Sequence, residues 1–312
     1  YCSEFPYTED EGFRLKGTIN FLQHLIAKAI QNVTEFQTTP KPIRGVFFRK
    51  KQSDLSQGVE FVPSKEGPIW MYEEPELQKD EVTGAQTQFS GLYIAGYDGI
   101  DQGTSDSSSG KGSNLSMVIK KSMNPTLRDN TSSNIYVLKI DYRPQDVEDA
   151  YEQCMLALIY YNARVNIEFS KIGIVAYFKK HFQHHRFIKR PKLSISDGLQ
   201  EKESNLIGTL ATETNWSFGL GFIKEYIKEN WQSMYDHEML VQCRDFTWEN
   251  KTDFDIVSAM CWCEIAFSEI VLKPIRSVST EVVNVGYYTD PLTGKKKYGK
   301  ITKNPEWTRH SF

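Results

Sequence analysis

No apolar run in this chain of 312 residues approaches the roughly 20 needed to cross a bilayer, and no signal peptide is visible. Five cysteines, at positions 2, 154, 243, 261 and 263, form no CxxC pair. An odd count without framework spacing excludes a disulfide scaffold and fits a reducing cytosol. Cys261-Trp-Cys263 is no ligand pair, because it lies in a helical pattern, where side chains two apart diverge. Neither sign of charge dominates. At a net charge of −3 there is no global field to attract a nucleic acid, so any such contact has to come from a local cluster. Internal repeats are absent. So is a phosphate-binding loop: Ser109-Gly-Lys-Gly-Ser113 has Ser at position 105 and Gly112 after the lysine, which breaks the Gly-x4-Gly-Lys-Ser/Thr spacing. Asp141 closes an apolar strand, as the metal-binding Asp of an ATPase does, but without that loop it has no partner. The chain is not expected to hydrolyse ATP by itself.

Aromatic residues, by contrast, are plentiful. The 16 Tyr and 18 Phe, with 39% hydrophobic and 25% charged residues, indicate a real core rather than disorder. The length suits one large domain with additions, or two. The chain opens on Tyr1 rather than Met, as a fragment of a longer protein would. A first region, 1–88, reads as an amphipathic helix over Thr18–Ile30 and strands at Ile43–Phe48, Val59–Val62 and Pro68–Tyr72. The next block, 89–272, has a clearer rhythm. Strands are expected at Leu92–Tyr97, Leu115–Ile119 and Ile135–Ile140, then a helix at Gln145–Tyr161, a strand at Arg164–Ile167 and a helix at Lys171–Phe182. Three strands that can pair as a meander, followed by a right-handed crossover to a fourth, describe an α/β fold. Residues 193–250 read as an insertion with helical patterns near 219–243, and a last helix runs from about Asp253 to Leu272. The tail, 273–312, has eight Lys/Arg against three acids and no strong periodicity, as a mobile basic arm would.

Three carboxylates fall where the pattern places strand ends and a helix start. They are Asp98 in Leu92-Tyr-Ile-Ala-Gly-Tyr-Asp-Gly99, Glu168 in Arg164-Val-Asn-Ile-Glu168, and Asp255 in Thr252-Asp-Phe-Asp-Ile-Val-Ser-Ala259. Each adjoins an apolar segment, so each can be held near a buried sheet and still face a cleft. Convergent acids repel one another unless a cation neutralises them. They point to a divalent metal, and metal with acids points to phosphodiester hydrolysis. The plain alternatives are an Asp-Gly turn for Asp98 and a helix-start acid for Glu168. Asp253 reads as the N-cap of the last helix. Asp255 then lies in its first turn, with the small Ala259 letting the helix approach the sheet. Asp101 and Asp253 are secondary candidate ligands.

Positive charge gathers just after Glu168. Residues 171–192 hold Lys171, Lys179, Lys180, Arg186, Lys189, Arg190 and Lys192, with no acid and with three histidines. In a chain acidic overall, that run is a candidate phosphate-facing, DNA-binding patch; the alternative is a solvated face. His181-x-x-His184-His185 lacks the further ligand that a zinc site needs.

Together these residues resemble a family. Ile94-Ala-Gly-Tyr-Asp98, Val165-Asn-Ile-Glu168 and Asp253-Phe-Asp-Ile-Val-Ser-Ala259, in that order, look like the ribonuclease-H-like nuclease domain of the large terminase subunit of tailed phages. The resemblance covers about 90–272. Ser3-Glu-Phe-Pro-Tyr-Thr-Glu-Asp-Glu-Gly-Phe13 is similar to the stretch that closes the motor domain of those proteins, with Gly12 where Ala is usual and Asp10-Glu11 where a Glu pair is usual. The family often has adjacent acids at its third motif; here Phe254 separates Asp253 from Asp255.

The resemblance implies a ribonuclease-H-like mixed β-sheet flanked by helices. It also implies two Mg2+ or Mn2+ ions held by Asp98, Glu168 and Asp255, and cutting of concatemeric viral DNA during packaging into a procapsid. The implied partners are double-stranded DNA, a portal protein and a small terminase subunit, with no membrane. The implied place is the host cytoplasm, transiently at the portal. A Holliday-junction resolvase or transposase-like nuclease of the same fold, and a non-catalytic DNA- or portal-binding module, are the alternatives.

Overall fold

The computed structural model describes residues 21–35, 40–52, 54–79, 86–100, 114–122, 133–194, 206–271, 285–289 and 296–300. The motor-like stretch at 3–13, the Gly/Ser-rich run with Asp101, and the 109–113 segment lie outside them. Contacts divide the chain into two units, Tyr1–Leu272 and Lys273–Phe312.

The first unit opens with helix α1 (Gln23–Glu35), followed by strands β1 (Ile43–Arg49), β2 (Val59–Pro63) and β3 (Ile69–Met71). A small separate pair, β4 (Leu77–Lys79) and β5 (Gln86–Gln88), precedes the centre of the fold: β6 (Tyr93–Asp98), β7 (Leu115–Lys121) and β8 (Ile135–Tyr142). Helix α2 (Val147–Tyr160), strand β9 (Arg164–Ile167) and helix α3 (Ile172–Lys180) come next. Helices α4 (Glu213–Asn230), α5 (His237–Asp245) and α6 (Asp255–Val271) complete the unit.

Seven strands form one mixed sheet in the order β2-β1-β3-β8-β7-β6-β9. Strands β6, β7 and β8 pair antiparallel as the expected meander, and β9 joins the open side of β6 in parallel after the α2 crossover. This is the ribonuclease-H-like arrangement that the resemblance implies. Strands β1–β3 extend the same sheet beyond β8, so pairing is continuous across position 88.

Both faces of the central strands are covered, which is why their sequences are nearly unbroken apolar runs. Tyr93, Ala95 and Tyr97 of β6 face α2, in a cluster with Met117, Ile119, Cys154, Leu158 and Val165. The alternate residue Ile94 faces α6, in a cluster with Val118, Trp216, Leu220, Met260 and Trp262. Gly96 faces the same way. A Cβ there would lie 2.0 Å from the Ala259 carbonyl oxygen, so α6 sits directly on the strand.

Local signals explain the helix ends. Asp146 caps α2 by accepting from the Glu148 N–H at 2.8 Å, and Glu148 and Asp149 in the first turn suit the positive end of the helix. After α2, Asn162 takes a left-handed φ of 49°, which turns the chain straight into β9. In the segment read as an insertion, α4 packs on α6, with Trp216 and Trp262 rings 5.2 Å apart, edge to face. The second unit contains an antiparallel pair, β10 (Val285–Thr289) and β11 (Lys296–Lys300), where the sequence shows no period.

Three lysines point into the first unit and each has acid partners. Lys120 pairs with Glu264 at 2.6 Å and also lies 4.1 Å from the centres of the Tyr226 and Phe267 rings. Lys139 pairs with Asp236 and Glu238, each at 2.8 Å. Lys121 pairs with Glu73 and Glu76.

Candidate active site

The sheet register sets out the acids. Asp98 pairs with Ser116, and Ser116 pairs with Asp141, so these three occupy one row across β6, β7 and β8. On the parallel side the last pair is Tyr97 with Ile167, and the next residues are Asp98 and Glu168. Neighbouring strands are about 4.8 Å apart. A row at one end of the sheet therefore runs Glu168, Asp98, Ser116, Asp141. By alternation it faces α6, whose first residue is Asp255.

Two contacts tie the helix to that row. Ser258, one turn into α6, donates its hydroxyl to the Phe254 carbonyl at 3.1 Å and lies beside the Asp98 carboxylate, whose charged form it favours. The Asn114 main-chain N–H donates to Asp255 Oδ2 at 2.9 Å. Asn166 in β9 donates to the Trp262 carbonyl at 2.8 Å, fixing the middle of α6 against the sheet. Glu168 accepts from the Ser170 hydroxyl, and its carbonyl accepts from the Lys171 N–H at 3.0 Å. That tight turn brings Lys171 back towards the acids.

Crowding of half-buried carboxyls shows in their protonation. Burial pushes Asp98 up to about 7; Lys171 works against the rise, and the charges of Glu168 and Asp255 add to it. Asp255 is raised to about 6, again chiefly by burial, with the Asn114 N–H and Lys171 opposing. Asp141 is also raised to about 6 by burial, opposed by its bond from Ser116. Asp98 thus feels Glu168, Asp255 and Lys171 together. Among the described residues, however, no three His, Cys, Asp or Glu side chains are gathered as a group able to hold a metal ion. The donor set still fits a hard divalent cation in chemistry. It consists of carboxylates that repel one another, with Lys171 acting on both Asp98 and Asp255.

The other sequence candidates separate. Asp253 is exposed and ends a 3-10 turn, Lys251–Asp253. Phe254 supplies the carbonyl for the first bond of α6, from the Ser258 N–H at 2.9 Å, so Asp253 is not the cap expected of it. Lys171, Lys179, Lys180, Lys189 and Lys192 keep solvent access. Two arginines of the basic run turn inward. Arg186 donates to the Leu158 and Ala163 carbonyls at 3.0 and 3.2 Å, and burial lowers its pKa to about 10. Arg190, 4% exposed, donates to the Gly208 carbonyl at 3.2 Å and lies over the Phe169 ring. Sequence reasoning missed Asn114, Ser116 and Asp141 as neighbours of the site. The available signal was that Asp141 ends the third strand of a meander whose first strand ends in Asp98.

No family model and no curated protein matches the chain. It is similar to solved structures of the large terminase nuclease from thermophilic phage G20c. The form with bound zinc has 10% identity and a TM-score of 0.39, over 64% of this chain and 88% of that one. The form with bound magnesium has 10% identity and a TM-score of 0.38, over the same shares. A third structure of that nuclease has 9% identity and a TM-score of 0.35, over 64% and 89%. The chemistry open to this chain is set by its own side chains.

Proposed function

We propose that this chain is a divalent-metal-dependent DNA endonuclease that cuts concatemeric viral DNA as a tailed-phage genome is packaged. The observation that supports this most directly is the row of acids. Asp98, on the end of the central strand, is pressed by the charges of both Glu168 and Asp255 in a half-buried setting, where Lys171, among the described residues, acts against them. Structural carboxylates are usually paired with their own cations, as Glu264 is with Lys120. Carboxylates left to repel one another suit a site that takes up cations.

Asp98, Glu168 and Asp255 would hold two Mg2+ or Mn2+ ions, which in such a site supply an acidified water and stabilise the leaving oxygen. The chain's own groups do the rest. Ser258, beside Asp98, favours its charged form, and the Asn114 N–H orients the carboxylate of Asp255. Lys171 offsets charge beside both acids. Lys179, Lys180 and Lys189, exposed on and after α3, hold the phosphate backbone of double-stranded DNA. Contacts of that kind position a duplex without reading its sequence. The likeness of Ser3–Phe13 to the end of a packaging motor favours this reading over a resolvase or transposase. It makes a portal protein and a small terminase subunit the proposed partners, in the host cytoplasm and transiently at the procapsid portal.

A plasmid-nicking assay tests the proposal. Cutting is expected with Mn2+ or Mg2+, none in EDTA, and none by Asp98→Ala. Undiminished cutting by that variant would remove Asp98 from the site, and no cutting by the wild-type protein with either metal would overturn the nuclease reading.

A further inference from the structure

We propose that Asp141 is a positioning residue of this site, acting through Asn114 on the carboxylate of Asp255. The inference rests on the nuclease reading above, in which Asp255 holds a metal ion. Its basis is a short chain of hydrogen bonds. The Ser116 hydroxyl donates to Asp141 Oδ1. The Asn114 side-chain amide donates to Asp141 Oδ2 at 3.4 Å, and the main-chain N–H of Asn114 donates to Asp255 Oδ2 at 2.9 Å. Asn114 is therefore held at its side chain by the end of β8 and gives its backbone to the start of α6.

The arrangement explains why Asp255 has a fixed direction. A carboxylate at the first residue of a helix has two rotatable bonds. One N–H aimed at Oδ2 selects a single orientation, but only if that N–H is itself immobile. Asn114 lies immediately before β7 and is not anchored by the ladder. Its side-chain bond to Asp141 supplies the anchor. Asp141 is itself set in place, because its strand register against Ser116 is fixed and Ser116 is fully buried. Both Asp141 oxygens accept bonds from the protein, which suits a group that orients a ligand more than one that is a ligand. Groups that orient metal-binding side chains in this way typically alter affinity or activity by about 10- to 100-fold when removed.

The test compares Asp141→Asn, Asp141→Ala and Asn114→Ala in cleavage kinetics, and follows hydrogen exchange of the residue-114 amide in metal-free full-length protein. Asparagine at 141 keeps both bonds, since its oxygen accepts from Asn114 and its NH2 donates to the Ser116 oxygen. Asp141→Asn should stay within about 3-fold of wild type in kcat, while Asp141→Ala and Asn114→Ala lose about 10- to 100-fold with KM nearly unchanged. The residue-114 amide, corrected for intrinsic rates, should exchange at least about 10-fold faster in both alanine variants, as expected for a lost anchor. Asn114→Ala keeps the backbone N–H and the buried Ser116–Asp141 pair, so it remains informative if Asp141→Ala folds poorly. If Asp141→Asn is as inactive as Asp141→Ala, the charge itself is needed and the positioning role is wrong. Unchanged exchange in Asn114→Ala would also overturn it. The exchange measurement needs no catalysis, so it decides the positioning claim even if the wild-type protein cuts no DNA.

Discussion

Asp98 is the residue on which charge and burial conflict most. Its pKa is about 7 in the fold against an ordinary 3.8, so the folded chain holds that proton more tightly than the unfolded one. Below the lower value both states are protonated and the group contributes nothing. Between the two values the folded state binds the extra proton, so stability falls as pH rises, and above about 7 it levels off. Asp255 and Asp141, raised to about 6, act with the same sign over a lower span. In EDTA, urea unfolding should show the wild-type protein losing up to about 5 kcal/mol between pH 5 and 8, about 3 of it from Asp98. Asp98→Asn should lose less, the difference being largest above pH 6. A wild-type protein that gains stability over that span would mean these carboxyls are not held in repulsion. The neighbouring pair of acids at the start of α6 also separates by role. Asp255→Asn should abolish cutting at little cost in stability. Asp253→Ala, exposed and not the cap of α6, should change both by little, within about 0.5 kcal/mol of wild type. Loss of cutting in Asp253→Ala alone would exchange the two assignments.

Helix α3 and the turn after it show how one run of basic residues divides its labour. In the sequence the seven cations look equivalent, because nothing local distinguishes a lysine on an exposed helix face from an arginine that turns inward. The distinction is tertiary. Arg186 reaches the carbonyls left open where α2 ends, at Leu158 and Ala163, whereas Lys179 and Lys180 in the last turn of α3 are exposed. Changing Lys179 and Lys180 to Ala should weaken binding to all duplexes alike and flatten the plot of log affinity against log salt by roughly 0.9 per lost phosphate contact. Arg186→Ala should leave that slope unchanged and instead cost about 1–3 kcal/mol of stability, because buried carbonyls lose their donor. A reduced slope in Arg186→Ala, with stability kept, would return that arginine to the DNA path. The start of α6 is also set by tertiary context. The acid at 255 was legible from its place before an apolar helix. The cap was not: the sequence reads as Asp253 capping the helix, but a 3-10 turn ahead of it moves the first carbonyl to Phe254.

Periodicity revealed the order of the central strands and helices because those strands are buried and bounded by polar turns. Each expected central element lies within a few residues of its place, as with the strand read as Leu92–Tyr97 and found at Tyr93–Asp98. Register across the sheet was not legible, and register is what sets Asp141 and Ser116 beside Asp98. It depends on pairings between residues far apart in the chain, which no local pattern encodes. The same holds for β1–β3, whose joining to β8 comes from long-range pairing. At the other end of the chain the division is plainer. The two apolar clusters of the first unit draw their residues from Phe21 to Phe267, and the described strands beyond Leu272 pair with each other. A protein ending at Leu272 should therefore keep its fold. With no residue of the two described clusters removed, the change in stability should stay under about 0.5 kcal/mol, or about 2 °C in Tm for a unit of this size. It should also keep metal-dependent nicking, because Asp98, Glu168, Asp255 and the groups that orient them all lie before that point. Thermal melting and the plasmid assay on the shortened and full chains check both expectations. A drop in Tm of more than about 5 °C would mean that residues 273–312 complete the core of the first unit.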